Sequence, residues 1–324
     1  MQAHSVMFHY LHNNQHPATQ GSISDEELEQ MITYIGRERI IDASEFLHRA
    51  AASDLRPGDV AFSFDDGLRC HYEVAGPVLR KHNIKAFFFV NTAPLDGVLD
   101  RLEIYRIFRN RCFKDVEQFN KEFEEAVVRS KYGTEARERL RDFDPKEYLK
   151  HLHFYSDGDR TMRFLRDQVL GKQKYEEILE EMISERTTVE ALCEGAWMDQ
   201  KMLCELREAG HLIGLHTHNH PTTCDQLSDE EVRNEYSTNA AHLKRALGTQ
   251  WRPETAAYPC GKLTQTTPGI LNGMGVKMAF MASFSEKGPF DDPFRVQRTD
   301  SSDVMRLMCS HSASEKEGKS ERQQ

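Results

Sequence analysis

The sequence predicts an α/β fold in which strands alternate with helices and a helical block is inserted part-way. Three observations carry this prediction. Short apolar runs bounded by turn residues recur along the chain, with amphipathic helical segments between them. Two of these runs, at 60–64 and 211–216, end in residues able to ligate a metal. Between them, from about residue 94 to 188, the texture changes to dense charge with apolar residues at helical spacing.

Residues 5–11 read as a first strand, with His9 and His12 near its end. Ser24 and Glu27 form a capping box that opens a helix to about Ile35, and a second amphipathic helix spans about 43–52. The turn at 54–59 leads into a buried strand, Val60 to Phe64. A helix near 73–81 and a strand over 85–90 follow, giving a right-handed βαβ unit with parallel strands. The block at 94–188 carries Leu102, Ile104, Ile107, Phe108, Phe119, Phe123, Leu165, Val169, Ile178, Leu179, Met182 and Ile183 at helical spacing. It reads as helices with their own small core, inserted as a cap beside the mouth of the α/β unit. That placement would bring Asn91 and Thr92 close to the pocket. The βα rhythm resumes with a helix over 198–209 ended by Gly210, a strand over 211–216, and a helix capped by Ser228 and Glu231 that runs to Leu247. Short strands are expected at 256–258, 278–281 and 294–296. The domain plan is therefore 1–93, an insertion at 94–188, 189–311, and a polar tail at 312–324 expected to be disordered.

The chain has 324 residues, is 39% hydrophobic and 29% charged, and carries a net charge of −10. This fits a globular protein with a large core and argues against a nucleic-acid partner, which wants clustered positive charge. No window approaches the roughly 18–20 apolar residues of a membrane span. The first ten residues lack the basic start and long apolar run of a secretory signal. Seven dispersed cysteines without a CxxC pair suit reduced thiols. A cytoplasmic location is the expectation.

The chemistry is anchored at AlaPheSerPheAspAspGly, residues 61–67. Adjacent side chains on an extended segment point apart, so Asp65 and Asp66 are expected to do different jobs, one binding a metal and the other facing substrate or water. Asp-Asp-Gly alone would also fit a solvated turn. The second stretch, IleGlyLeuHisThrHisAsnHisPro at 213–221, decides for chemistry. A catalytic metal site uses about three protein ligands and an open position. Asp66, His216 and His220 supply such a set, with His218 as the alternative ligand. Zinc suits two histidines and a carboxylate, and cobalt, nickel or iron would fit the same donors.

SerPheAspAspGly, then HisThrHisAsnHis, then AlaTyrProCysGly at 257–261 resemble the motifs of the polysaccharide deacetylases, carbohydrate esterase family 4, in the same order. The helix from Trp197 into the histidine stretch is similar too. The likeness covers about 54–92 and 195–300 and implies a distorted (β/α) barrel of about seven strands, with motifs at the C-terminal strand ends. It further implies one divalent metal on Asp66, His216 and His220, with Asp65 as general base. The substrate class it implies is an N-acetylated sugar, nucleotide-linked, lipid-linked or polymeric, in surface-polysaccharide synthesis. The main-chain N–H of Cys260, next to Tyr258, would hold the oxyanion or substrate. The chain departs from the family where an Arg normally precedes the third motif; Arg298 is the candidate replacement, steadying Asp65. The closing Leu-x-His motif that supplies the general acid is also poorly matched. His9, in Phe8-His9, is the expected acid, with His311 as the alternative. Two other readings stay open: hydrolysis of another amide, such as a formamide or cyclic ureide, on the same fold, and a barrel that binds sugar without catalysis. A metallophosphoesterase would want more Asp, Asn and His ligands around a second metal.

Overall fold

The computed structural model describes residues 3–19, 21–98, 100–150, 155–282 and 292–310. Seven strands form one sheet: β1 (His4–Phe8), β2 (Val60–Phe64), β3 (Phe87–Val90), β4 (Leu212–Leu215), β5 (Thr255–Ala257), β6 (Met278–Phe280) and β7 (Arg298–Asp300). They lie in the order β6–β5–β4–β3–β2–β1–β7, every neighbouring pair parallel. Val296 bridges Phe280, donating to the Ala279 carbonyl at 3.0 Å and accepting from Met281 at 2.9 Å. The two edges thereby meet, and the sheet nearly closes into a barrel surrounded by helices.

Strand alternation sorts the side chains into two cores. Phe62 and Phe64 of β2 face the helices with Phe8 and Phe88, whose rings stack on Phe64 at centroid distances of 4.8 and 4.9 Å. Ala61 points the other way, into a smaller cluster with Phe87, Phe89, Phe280 and Phe46 from the helix Ala43–Ala51. Gly214 of β4 is a consequence of this packing. A Cβ there would come within 2.7 Å of the Phe89 ring and 2.6 Å of Thr255 Oγ1.

The helices expected at the two capping boxes form with their expected starts, while the helix expected from 198 begins at Gln200. Asp25–Ile35 and Asp229–Leu247 both open on full capping boxes, Ser24 with Glu27 and Ser228 with Glu231. Each such cap is worth about 1 kcal/mol. The expected strand at 294–296 needs correction. Only Val296 there makes a bridge, and the ladder itself lies at Arg298–Asp300, paired with Ser5–Met7. Its polar ArgThrAsp sequence gave no apolar signal, because β7 is anchored by polar contacts. The chain separates into two units, one of residues 1–100 with the chain from 195 onward, the other of residues 101–194. The second unit is wholly helical among its described residues and packs around Phe108, Phe113, Phe119, Phe123, Leu179 and Met182. Among the described residues no helix is long and apolar enough to cross a membrane.

Candidate metal centre and catalytic site

Asp65 follows β2 with the same parity as Ala61 and Ser63, so it belongs to the inner face. Its N–H donates to the Phe8 carbonyl at 3.1 Å, which keeps the end of β1 alongside. Continued extension would carry Asp66 to the opposite face. Instead Asp66 adopts φ 75° and Gly67 φ 64°, two left-handed residues in succession. The turn brings the Asp66 carboxylate back beside Asp65. Gly67 is required twice over, by its positive φ and because a Cβ would press on Val90 Cγ1 at 3.1 Å. The histidine stretch is bent in the same way, with Thr217 at φ 61° and His220 at φ 51°. The Thr217 hydroxyl stabilises this bend, accepting from His220 N–H at 3.1 Å.

These two turns bring Asp66, His216 and His220 together, with one ligand atom from each inside a 4.8 Å cluster. The Nε2 atoms of both histidines stand 3.3 Å from Asp66 Oδ1, and the ring centroids are 4.9 Å apart. His216 Nδ1–H donates to the Ala257 carbonyl at 2.9 Å, which leaves the Nε2 lone pair facing Asp66. Nδ1 of His220 faces Asp100 at 4.0 Å. Asp66 Oδ1 is buried and makes no hydrogen bond among the described residues. A buried carboxylate oxygen between two imidazole nitrogens costs free energy unless a cation shares it, so this donor set fits a divalent ion. His218 is turned away from Asp66, with its Nδ1 on Thr92 Oγ1 at 3.0 Å.

Arg298 reaches the same place from β7. Its side chain is fully buried, donating from Nη1 and Nη2 to Asp65 Oδ1 and Oδ2 at 2.7 and 2.8 Å. Nε donates to the Met281 carbonyl, and Nη1 also lies 3.4 Å from Ser63 Oγ. Burial alone would raise the pKa of Asp65; the Arg298 guanidinium, then His216, outweigh it and hold the carboxyl below its usual value. Asp66 lies well below its usual value for the same balance, with His220 and His216 opposing burial. His216 is shifted upward, because Asp65 and Asp66 outweigh burial. A metal bound there would have to displace its proton.

His9 immediately follows Phe8, which is in register with Phe64, and its imidazole is close enough to lower the pKa of both Asp65 and Asp66. Cys260 is exposed at φ 54° in the turn Pro259–Gly261 that follows β5. Tyr258 requires a correction. Its ring is fully buried and its hydroxyl donates to the Phe294 carbonyl at 3.0 Å, so its side chain braces the barrel wall and is not presented to a substrate. His311 lies outside the described residues.

Over residues 52–106 and 169–279, just over half of the chain, the sequence matches the family model described as "Polysaccharide deacetylase". The chain belongs to the polysaccharide deacetylase family. No curated protein matches it. Among solved structures the family member is similar to Streptococcus pyogenes deacetylase PplD in complex with acetate. That match has a TM-score of 0.54 and 15% identity over 93% of this chain and 92% of the other. It is also similar to IcaB from Ammonifex degensii, with a TM-score of 0.50 and 19% identity over 92% and 93% of the two chains. A de-N-acetylase from Aggregatibacter actinomycetemcomitans gives a TM-score of 0.50 at 12% identity, over 92% and 95%. At these identities the likeness is one of fold.

Several site residues escaped the sequence reading. Asn239, in the middle of the helix Asp229–Leu247, is fully buried. It accepts from His216 N–H at 3.1 Å and donates to the Val90 carbonyl and Thr92 Oγ1 at 2.9 and 3.0 Å. One helical turn earlier, Glu235 accepts from the N–H groups of His218 and Asn219. His71 is buried beneath the site and donates from Nε2 to the His9 carbonyl; burial pushes its pKa down to about 4. A polar residue in line with Val232, Tyr236, Leu243 and Leu247 on the apolar stripe of the helix was the sequence signal for Asn239. Nothing in the sequence singled out the others.

Proposed function

We propose that this family member is a metal-dependent N-deacetylase that releases acetate from an N-acetylated sugar, a precursor or unit of a surface polysaccharide. The observation that carries the reading is the buried, bidentate Arg298–Asp65 pair beside the Asp66, His216 and His220 cluster. It is a carboxylate kept ionised next to a ligand set that fits a divalent cation. When bound there, zinc or a similar ion polarises the acetamide carbonyl and makes a water acidic.

Asp65 accepts the proton of the attacking water, and Arg298 keeps the carboxylate charged and aimed for that step. The main-chain N–H of Cys260 supports the oxyanion of the tetrahedral intermediate. His9 then gives a proton to the departing nitrogen, which is a very poor leaving group without one. Asn91, just after β3, offers a buried amide whose nitrogen and oxygen have no partner among the described residues, suited to a sugar hydroxyl or the acetamide. The dispersed cysteines, with no CxxC pair in the sequence, support a reducing compartment such as the cytoplasm.

The test is acetate release from nucleotide-linked, lipid-linked and polymeric N-acetylhexosamines, run beside formate release from N-formyl analogues. Acetate should be released, and Asp65→Asn should reduce the rate by about 10² to 10⁴-fold. Formate without acetate would move the reading to a deformylase. Release that survives in Asp65→Asn would overturn the role of the base.

A further inference from the structure

We propose a second divalent-cation site, of zinc class, formed by Asp96, His218 and His242. It is separate from the cluster at Asp66 and independent of the catalytic reading. One ligand atom from each of the three residues lies within 4.8 Å of the others. They come from three segments: the turn Ala93–Asp96 after β3, the bend after β4, and the helix Asp229–Leu247. His242 Nδ1 is 2.8 Å from Asp96 Oδ2, and the imidazoles of His218 and His242 stand 4.9 Å apart at an interplanar angle of 34°. Two imidazoles and a carboxylate from separate segments, with donors near ligand spacing, are a zinc-type set.

The site has built support behind it. His218 Nδ1 is on Thr92 Oγ1, and Thr92 Oγ1 is in turn held by Asn239 Nδ2. A hydroxyl oxygen can accept from both, which leaves His218 Nε2 as the ring's ligand atom. Asn239 also accepts from His216 N–H, so one buried amide positions a histidine of each cluster. The Ala93 N–H donates to the His218 carbonyl at 3.0 Å, fixing the bend to the turn that carries Asp96.

The place already attracts positive charge. The Arg245 guanidinium lies against both His242 and Asp96, 3.3 Å from Asp96 Oδ1. Arg245 is 67% exposed and can swing into solvent when a cation takes the carboxylate. The bound ion would clamp the histidine bend to the helix and to the turn after β3.

Metal content per folded chain tests this, after equilibration with excess zinc and removal of free ion. The wild type should hold two zinc ions, His242→Ala and Asp96→Asn one each, and Asp66→Ala one. Arg245→Ala should keep both and bind the second several-fold more tightly in a zinc titration. Circular dichroism checks folding, and the conservative Asp96→Asn serves if His242→Ala is unstable. One zinc in the wild type, lost in Asp66→Ala and kept in His242→Ala, would overturn the second site while leaving the first intact. Two ions retained in both His242→Ala and Asp96→Asn would overturn it as well. If Asp66→Ala keeps two and His242→Ala one, the catalytic metal fails and this site stands.

Discussion

Arg298 and Asp65 grip each other through two hydrogen bonds across 233 residues of sequence, and the meaning of each depends on the other. Alone, Arg298 was a substitute for an arginine absent from the third motif. Asp65 is expected as the base through the family resemblance, with Arg298 as the residue that would steady it; the bidentate contact between them is what the structure adds. The candidate ligand set was easier to read, because a histidine stretch ending one apolar run is paired with a strand-terminal Asp-Asp-Gly ending another. Tyr258 misled because its neighbours carry the motif while its own hydroxyl is spent on the barrel wall. His9 was readable only by comparison, and its place beside Asp65 follows from the Phe8–Phe64 register. If the two act as acid and base on one intermediate, Asp65→Asn and His9→Ala should each cut kcat by about 10² to 10⁴-fold with metal still bound. Their combined loss should be less than additive. The alkaline limb of the rate profile, where an acid loses its proton, should vanish in His9→Ala. Normal turnover with that limb intact would remove His9 from the mechanism.

Among the elements, the turn Asp65–Asp66–Gly67 does most to make the site, since strand parity alone would separate the two carboxylates. The sequence showed the strand and its stop, but not the two left-handed residues that reverse the parity. Capping boxes and apolar runs were legible because they are local; β7 was not, because polar pairing across the barrel holds it. Gly67→Ala tests the turn. A non-glycine residue in left-handed backbone costs about 1–2 kcal/mol, and contact with Val90 adds to it. The variant should unfold at lower urea and bind zinc much more weakly at the Asp66 cluster, through displacement of the ligand. Unchanged zinc affinity in a folded Gly67→Ala would mean that the turn does not position Asp66.

At the scale of the whole molecule, the Arg298–Asp65 pair ties β7 to the end of β2 across β1, and so contributes to closing the barrel. Its sign with pH follows from the direction of the shift. The Asp65 pKa is lower in the folded protein than the usual carboxylate value of about 3.9, so the unfolded chain takes up the proton first. The pair's contribution is present above about pH 4 and is lost as pH falls through the folded value. Removing one partner alone should cost about 3–5 kcal/mol, because the other charge stays buried. The double variant Asp65→Asn with Arg298→Met should lose less. With chelator present, it should also show a shallower fall of the urea midpoint below about pH 4 than the wild type. Equal slopes would show that the pair does not tie acid stability to barrel closure.

The position of Arg298 on the last strand also sets an order of events during synthesis. A ribosome-bound chain that has released everything through β6 already has both carboxylates and both ligand histidines. What it lacks is the guanidinium that holds Asp65 charged against burial, and the Val296 bridge that joins the barrel edges. The residues that fit a divalent ion are thus all made before Arg298, the residue proposed to arm Asp65 as the base. On the proposed mechanism a chain would become competent only when β7 docks beside β1, and an unfinished chain would already carry the residues that fit an ion while Asp65 still lacks its guanidinium.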